Sequence, residues 1–269
     1  VIGSAGHRPR LVATDLDGTL LDASGRVSAR TREVLLELDR QGIPVVFVTG
    51  RPIRWMDSLW ADVGGHGIAL LSNGAVVYDV STHSVITARY VEDEVALEVA
   101  DRLRTGVPGT AFGIERTTGF ALEPEFLSRH DKPPDVEIGP IADLVDGRVV
   151  KLLAQHEEID PEPFWAQVDD LVADLVSTTW SSSFALVEMS AHGVTKASAL
   201  AELAASMGIG AAEVVAFGDM PNDIDLLRWA GRSYAMANAH PSAKDAAGAL
   251  APHHDEDGVA EVLTALFGL

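Results

Sequence analysis

The chain contains no cysteine. No disulfide, thiolate nucleophile or sulfur-ligated metal centre is therefore open to it. Positive charge is also scarce: 20 Lys and Arg stand against 40 Asp and Glu, for a formal charge of −20. A surface of that sign repels nucleic acid and anionic lipid, so neither is an expected partner, and an anionic substrate needs a local cationic site. Lysine occurs only at Lys132, Lys151, Lys196 and Lys244. No apolar run is long enough to span a bilayer, and no segment joins a basic start to an apolar stretch and a cleavage site. The expectation is a soluble cytoplasmic protein without internal repeats or low-complexity tracts.

What is present is ample apolar material. With 269 residues and 47% hydrophobic content, the chain can build one large domain or a core with a smaller second domain. At both ends, strand and helix signals alternate. Arg10 to Thr14 reads as a short strand. Ser28 suits the cap of a helix through Arg40, with Val34, Leu35 and Leu38 on one face and Gly42 as its stop. "IPVVFVTGR" reads as a strand buried on both faces. Pro52 suits the start of a helix carrying Trp55, Leu59 and Val63, and Asn73-Gly74 sits between two apolar runs as a hairpin signal. Near the other end, "TKASALAELAASMG", "EVVAFGD", "PNDIDLLRWAG", "SYAMAN" and "GVAEVLTALF" continue the alternation. The two ends thus predict one α/β domain, a doubly wound parallel sheet with right-handed crossovers, over 1–82 and 189–269. The proline-rich stretch 83–188 reads as an inserted α+β domain. Its strand candidates are "VVKLLAQ" and "SFALVEM", and its helix candidates are "EDEVALEVADRLR" and "PFWAQVDDLVADL".

Four short motifs carry chemistry. In "TDLDGTLLD", an apolar strand runs into Asp15 and Asp17, which point the same way in extended chain, with Gly18 behind them to permit a tight turn. Ligands of parallel α/β sheets bind beyond the carboxyl ends of strands, where Asp15 lies. Alone, the pair also fits an acidic Asx-turn. Thr49-Gly50-Arg51 offers a hydroxyl and backbone N–H groups at a second strand end, which suits an anion, although an ordinary strand-to-helix turn has the same form. Lys196 opens a helix, where the dipole disfavours a cation; facing an anion accounts for it, and so does solvation. In "GDMPNDIDLL", Asp219 ends another apolar strand, while Asn222 and Asp223 stand at a helix start and also fit caps. Carboxylates gathered at several strand ends repel one another unless a cation joins them, and oxygen-only ligands favour Mg²⁺. Together the four suit phosphoryl transfer.

"DLDGTLLD", "TGR", "GVTKASAL" and "GDMPNDIDLL", in this order, resemble the motifs of the haloacid dehalogenase superfamily of phosphatases. The large insert, together with "LLSNGAVVYD" and "DEDGVAEVL", resembles its Cof-like sugar-phosphatase branch. Ala237 departs from the glycine usual there without touching the chemistry. The resemblance implies a Rossmann-like core and a cap that sets which small phosphate ester, a sugar phosphate or a phosphorylated cofactor, is accepted. It implies that Asp15 is the nucleophile, forming an aspartyl-phosphate, and that Asp17 is first general acid, then general base. Thr49, Gly50 and Lys196 hold phosphate oxygens, Asn222 contacts the phosphate, and Arg51 and Asn73 line the entrance. Asp15, the backbone carbonyl of Asp17, and Asp219 bind Mg²⁺, with Asp223 supporting Lys196 or the metal shell. Rival readings are a phosphomutase of the same superfamily and a non-catalytic binding protein on the same scaffold. Among the remaining features, His253-His254-Asp255 reads as a solvated loop rather than a metal site, and Gly65-His66-Gly67 is too short for a dinucleotide loop. Trp180 reads as core packing in the insert ahead of the alternative, a place in the lining of the substrate cavity. Arg116, Arg129 and Lys151 are candidate substrate contacts without a spacing argument.

Overall fold

All four residues of strand β1 (Leu11–Thr14) are buried, because the sheet around it is covered on both faces. The computed structural model of the chain describes residues 8–60, 65, 67–129 and 136–269. Val63, His66 and Lys132 lie outside the described residues. After β1 come α1 (Ala29–Arg40), β2 (Val45–Val48), the short α2 (Asp57–Trp60), β3 (Ile68–Leu71), β4 (Val76–Asp79) and β5 (Ser84–Ala88). The middle of the chain forms α3 (Asp93–Gly106), β6 (Ala111–Arg116), β7 (Gly119–Leu122), β8 (Glu137–Ile138), α4 (Ile141–Leu144), β9 (Val149–Gln155), α5 (Pro161–Val172), β10 (Val176–Thr179) and β11 (Leu186–Ala191). The last part forms α6 (Lys196–Ser206), β12 (Val214–Gly218), α7 (Ile224–Trp229), β13 (Arg232–Met236), α8 (Pro241–Ala246), β14 (Ala249–Ala251) and α9 (Gly258–Phe267).

The first sheet has the order β14-β13-β12-β1-β2-β3-β4-β5. Its pairings are parallel from β14 to β3, and β4 and β5 extend it as an antiparallel edge. Side-chain alternation divides β1 between two cores: Val12 packs with Val34 and Leu38 of α1 and Leu263 of α9, while Leu11 and Ala13 pack with Leu200 of α6 and Leu226 of α7. This is the doubly wound α/β arrangement expected. Ser28 caps α1, its side chain accepting from the Thr31 N–H. The helix expected after Pro52 is broken into a turn at Ile53–Trp55 and the separate α2. Met56, between them, is fully buried, so the chain bends to seat it rather than continue one helical axis.

The second sheet has the order β10-β11-β9-β6-β7-β8 and is antiparallel except for β7 with β8. The first sheet reaches past position 83, because β5 pairs with β4, and β11 lies in the second sheet through Ala191. Strand β9 shows why the second sheet matters. Leu152 and Ala154 pack under α3 and α5, whereas Lys151, Leu153 and Gln155 line a cavity against the first sheet.

One turn joins fold and cavity. Between β3 and β4, Ser72, Asn73 and Gly74 hold φ of 50°, 57° and 96°. The Ser72 and Asn73 N–H groups donate to the carbonyls of Arg51 and Thr49, each at 3.0 Å. A Cβ on Gly74 would lie 2.6 Å from the Thr195 carbonyl oxygen, so the turn packs directly against the start of α6.

Candidate functional site

Parallel pairing of β12, β1 and β2 brings three strand ends to one edge of the sheet. The residues that follow them, Asp219, Asp15 and Thr49, are all buried there. After Asp15 the chain reverses through Gly18, whose φ is 69° and whose Cβ, if present, would lie 2.3 Å from Asp219 Oδ2. Behind the acids, Thr195 caps α6: its side chain accepts from the Ser198 N–H at 3.1 Å, and Ser198 Oγ accepts from the Thr195 N–H at 2.9 Å. The cap places Lys196, only 1% exposed, at the first helical position. Its Nζ donates to Asp15 Oδ1 at 2.8 Å and to Asp223 Oδ1 at 2.7 Å. Asp223 Oδ2 accepts from the N–H groups of Asp219 and Met220 at 3.0 and 3.1 Å. Asp223 thus fixes the turn that carries Asp219 while it holds Lys196, so its two oxygens are both engaged. Thr19 Oγ1 donates to Asp219 Oδ1 at 3.2 Å.

Ligand atoms of Asp15, Asp219 and Asp223 lie within 4.8 Å of one another. Burial pushes the Asp15 carboxyl well above its ordinary range, Lys196 opposes this, and the charges of Asp223 and Asp219 add to the rise. Burial, then Asp223, pushes Asp219 up to about 7 against the pull of Lys196 and Thr19. For Lys196, burial alone would favour the neutral amine, but Asp15 and Asp223 outweigh it and hold the ammonium more firmly charged than usual. Three acids around one lysine leave excess negative charge in a buried place. A divalent cation held by oxygen atoms suits that excess, and the donor set lacks the sulfur or imidazole that would favour a softer metal.

The other expected site residues surround this cluster. Asp17 is exposed and forms a two-point ion pair with Arg51, Nε to Oδ2 at 2.7 Å and Nη2 to Oδ1 at 2.5 Å, so its carboxylate stands apart from the three buried acids. Thr49 Oγ1 accepts from the Arg51 N–H at 3.0 Å. Asn222 Nδ2 donates to Asn73 Oδ1 at 3.2 Å, while Asn222 Oδ1 is buried without a partner. Gly50 lies beneath this pair, 3.2 and 3.7 Å from Asn73 Oδ1 and Asn222 Nδ2 measured from where a Cβ would stand.

Of the second wall, sequence reasoning named Lys151 and Arg129 and missed Arg54, Glu115 and Glu188. A cavity of about 180 Å³ runs from Asp15 and Thr49 to side chains of the second sheet. Lys151 crosses between the sheets, donating to the Gly50 carbonyl at 2.7 Å and to Glu188 Oε1 at 2.8 Å, and Glu188 Oε2 accepts from Asn73 Nδ2 at 2.6 Å. Arg54 pairs with buried Glu115 through two hydrogen bonds of 3.1 and 2.5 Å. Burial raises the Glu115 carboxyl, with Arg54 opposing. In "VVKLLAQ", the polar residues Lys151 and Gln155 share one strand face, and that period was the available signal. Arg129 also lines this cavity, whereas Arg116 is buried elsewhere against Glu137 and Asp146. Trp180 is buried edge-on to His240 and lines a separate cavity. At the opposite loop, His253 caps a turn by accepting from the Asp255 N–H, and His254 Nδ1 donates to the Leu21 carbonyl at 2.7 Å. His253 and Asp255 are each more than two-fifths exposed there, and ligand atoms of His253, His254 and Asp255 lie within 4.8 Å of one another.

The chain matches the family model of haloacid dehalogenase-like hydrolases over residues 12–263. It is 25% identical over 272 residues to the 5-amino-6-(5-phospho-D-ribitylamino)uracil phosphatase YitU of Bacillus subtilis, covering 97% of this chain and 99% of that protein. It is 31% identical over 255 residues to a phosphoglycolate phosphatase of Halorubrum lacusprofundi, covering 95% and 96%. Its fold superposes on the crystal structure of SMU.1108c from Streptococcus mutans with a TM-score of 0.84, at 23% identity and with 97% and 100% of the two chains covered. The strand-end acids, the buried lysine and a family match that spans both sheets agree, and the chain belongs to the haloacid dehalogenase-like hydrolases.

Proposed function

We propose that the protein is a phosphatase that hydrolyses a small phosphorylated metabolite through an aspartyl-phosphate on Asp15. The observation that carries this reading is Lys196 Nζ bridging Asp15 and Asp223 at 2.8 and 2.7 Å beside Asp219, at the carboxyl ends of adjacent parallel strands. In the first step an oxygen of Asp15 attacks phosphorus, the ester P–O bond breaks, and Asp17 gives a proton to the leaving oxygen. In the second, Asp17 takes a proton from water as that water attacks phosphorus, which frees Asp15 and releases inorganic phosphate. Lys196 orients Asp15 and faces a phosphate oxygen. Thr49, the Gly50 N–H and Asn222 Nδ2 supply further donors, and the unpartnered Asn222 Oδ1 leaves that amide free to reorient. Asp17 must leave Arg51 to act, and an arriving phosphate competes for the same guanidinium.

Asp15, Asp219 and the backbone carbonyl of Asp17 would hold Mg²⁺. When bound, it offsets the excess of carboxylates and lowers the repulsion between an anionic nucleophile and an anionic phosphate. The stretch 83–188 is assigned the role of a cap, a reading supported by the second sheet facing the acid cluster across the cavity. Two relatives are named for different phosphate esters, which supports a small-molecule ester as substrate and leaves its leaving group to the cap.

The test is phosphate release from a panel of phosphorylated sugars, nucleotides and carboxylic acids, with Mg²⁺ and with chelator. Release that needs Mg²⁺ and no bisphosphate activator is expected. Isomerisation that requires such an activator would establish a mutase instead. Ligand binding without turnover across the panel would establish a binding protein.

A further inference from the structure

The cavity that opens on Asp15 has an unusual charge arrangement. Four cations line the cavity among the described residues: Arg51, Arg54, Arg129 and Lys151. Each already faces a carboxylate: Asp17 at 2.5 Å, Glu115 at 2.5 Å, Glu157 at 3.2 Å and Glu188 at 2.8 Å. Arg54–Glu115 and Lys151–Glu188 are largely buried, so withdrawing either base would strand a desolvated carboxylate. An additional anionic group on the substrate therefore meets, among the described residues of the cavity, only cations that already have a carboxylate partner, in a chain of net charge −20.

The uncharged part of the wall is aromatic. The Arg54 guanidinium lies 4.6 Å from the Trp55 ring and 4.7 Å from the Phe120 ring, which fixes both rings. Arg129 lies 4.5 Å over the Phe184 ring, and Leu127 lines the cavity while 51% exposed. Apolar surface held open inside a cavity is the kind that a ligand covers.

We infer that the ester this site accepts carries a flat, uncharged aromatic ring on its leaving group, packed on the Leu127 and Phe184 wall, and that a second anionic group is selected against. The inference rests on the phosphatase reading above and adds a substrate class to it. Three esters with alkyl leaving oxygens of similar basicity separate the effects: 2-(1-naphthyl)ethyl phosphate, ethyl phosphate and phosphoglycolate. The aryl ester should exceed ethyl phosphate by about tenfold in kcat/KM, mainly through a lower KM, since ring packing acts on binding. Phosphoglycolate should fall below ethyl phosphate. Phe184→Ala should remove most of the aryl advantage, read as the ratio of kcat/KM for the aryl ester to kcat/KM for ethyl phosphate. Leu127→Ser, at a half-exposed position, reads the same wall if the first variant does not fold. Phosphoglycolate matching or exceeding the aryl ester overturns the inference, as does an aryl advantage that survives in the variants. Calorimetric binding of the same esters to Asp15→Asn ranks them without turnover. Absence of hydrolysis in the wild type would thus sink the phosphatase reading, while the binding order alone decides this one.

Discussion

On the first-sheet side of the cavity, Asp15 and Asp223 share Lys196 beside Asp219; across the cavity, Glu115 of β6 and Glu188 of β11 each have a cation of their own, Arg54 from the turn after β2 and Lys151 from β9. Both sets are buried, so they meet the same desolvation penalty. They differ in balance. The unbalanced set gathers three carboxylates around one ammonium, while the balanced set gives each cation its own carboxylate and leaves shape and apolar contact to discriminate. A buried cluster can thus be sorted by its charge sum: a deficit marks a place for chemistry and a closed sum marks a wall.

The strongest challenge to this contrast is Asp15→Asn. It preserves shape while removing the nucleophile, and phosphate release should fall by at least about a thousandfold, with the far-UV spectrum unchanged. Residual turnover above that level would move the nucleophile elsewhere. Next in size, Lys196→Met takes the ammonium from between Asp15 and Asp223, and kcat/KM should drop by about a hundredfold or more. Its melting temperature should fall as well, and Mg²⁺ should recover part of that loss. A variant as active as the wild type would show that the lysine is structural only.

The balanced side should respond in stability instead. Lys151→Met leaves Glu188 without its cation and should cost about 3 kcal/mol in urea unfolding. Adding Glu188→Gln should restore a good part, because the stranded charge is then gone. A double variant no more stable than the single one would mean that Lys151 acts through the Gly50 carbonyl, not through the pair. The smallest effect is in pH. The Asp219 carboxyl rises from an ordinary value near 3.8 to about 7 in the folded, metal-free protein. The native state therefore binds more protons than the unfolded chain between these values, and this group's contribution to stability declines as pH climbs through that window. Mg²⁺ binds the ionised form, so its gain in melting temperature should be larger at pH 8 than at pH 5. An equal or larger gain at pH 5 would contradict the Asp219 assignment.

The unbalanced side was legible in the sequence because Asp15 and Asp219 each end an apolar strand, where a carboxylate breaks a local pattern, and Asp223 follows Asp219 at a helix start. Lys196 stood out for a similar reason, as a cation at a helix start. The two-layer core followed from strand and helix periods at both chain ends. On the balanced side only Lys151 was named, without its partner. Glu115 and Arg116 sit in a strand, β6, in which all six residues are buried, so the charges that mark a surface were misleading there. Its partners are distant, Arg54 by 61 residues and Lys151 from Glu188 by 37, and no local rule connects them. The region after Pro52 failed for another reason: helical spacing was present, but burying Met56 won over continuing the helix.

The strand order carries a consequence for how the molecule is made. Strand β1 lies between β2, which follows it closely, and β12, with Leu11 opposite Val214. During synthesis one edge of the central, fully buried strand must therefore wait until some two hundred further residues have left the ribosome, a delay of about 10–40 s at ordinary translation speeds. Until then Leu11–Thr14 offers unpaired backbone groups to any passing chain. The intervening second sheet, whose pairings lie within residues 111–191, can complete itself in that interval and fold as a finished unit before the sheet on either side of it closes.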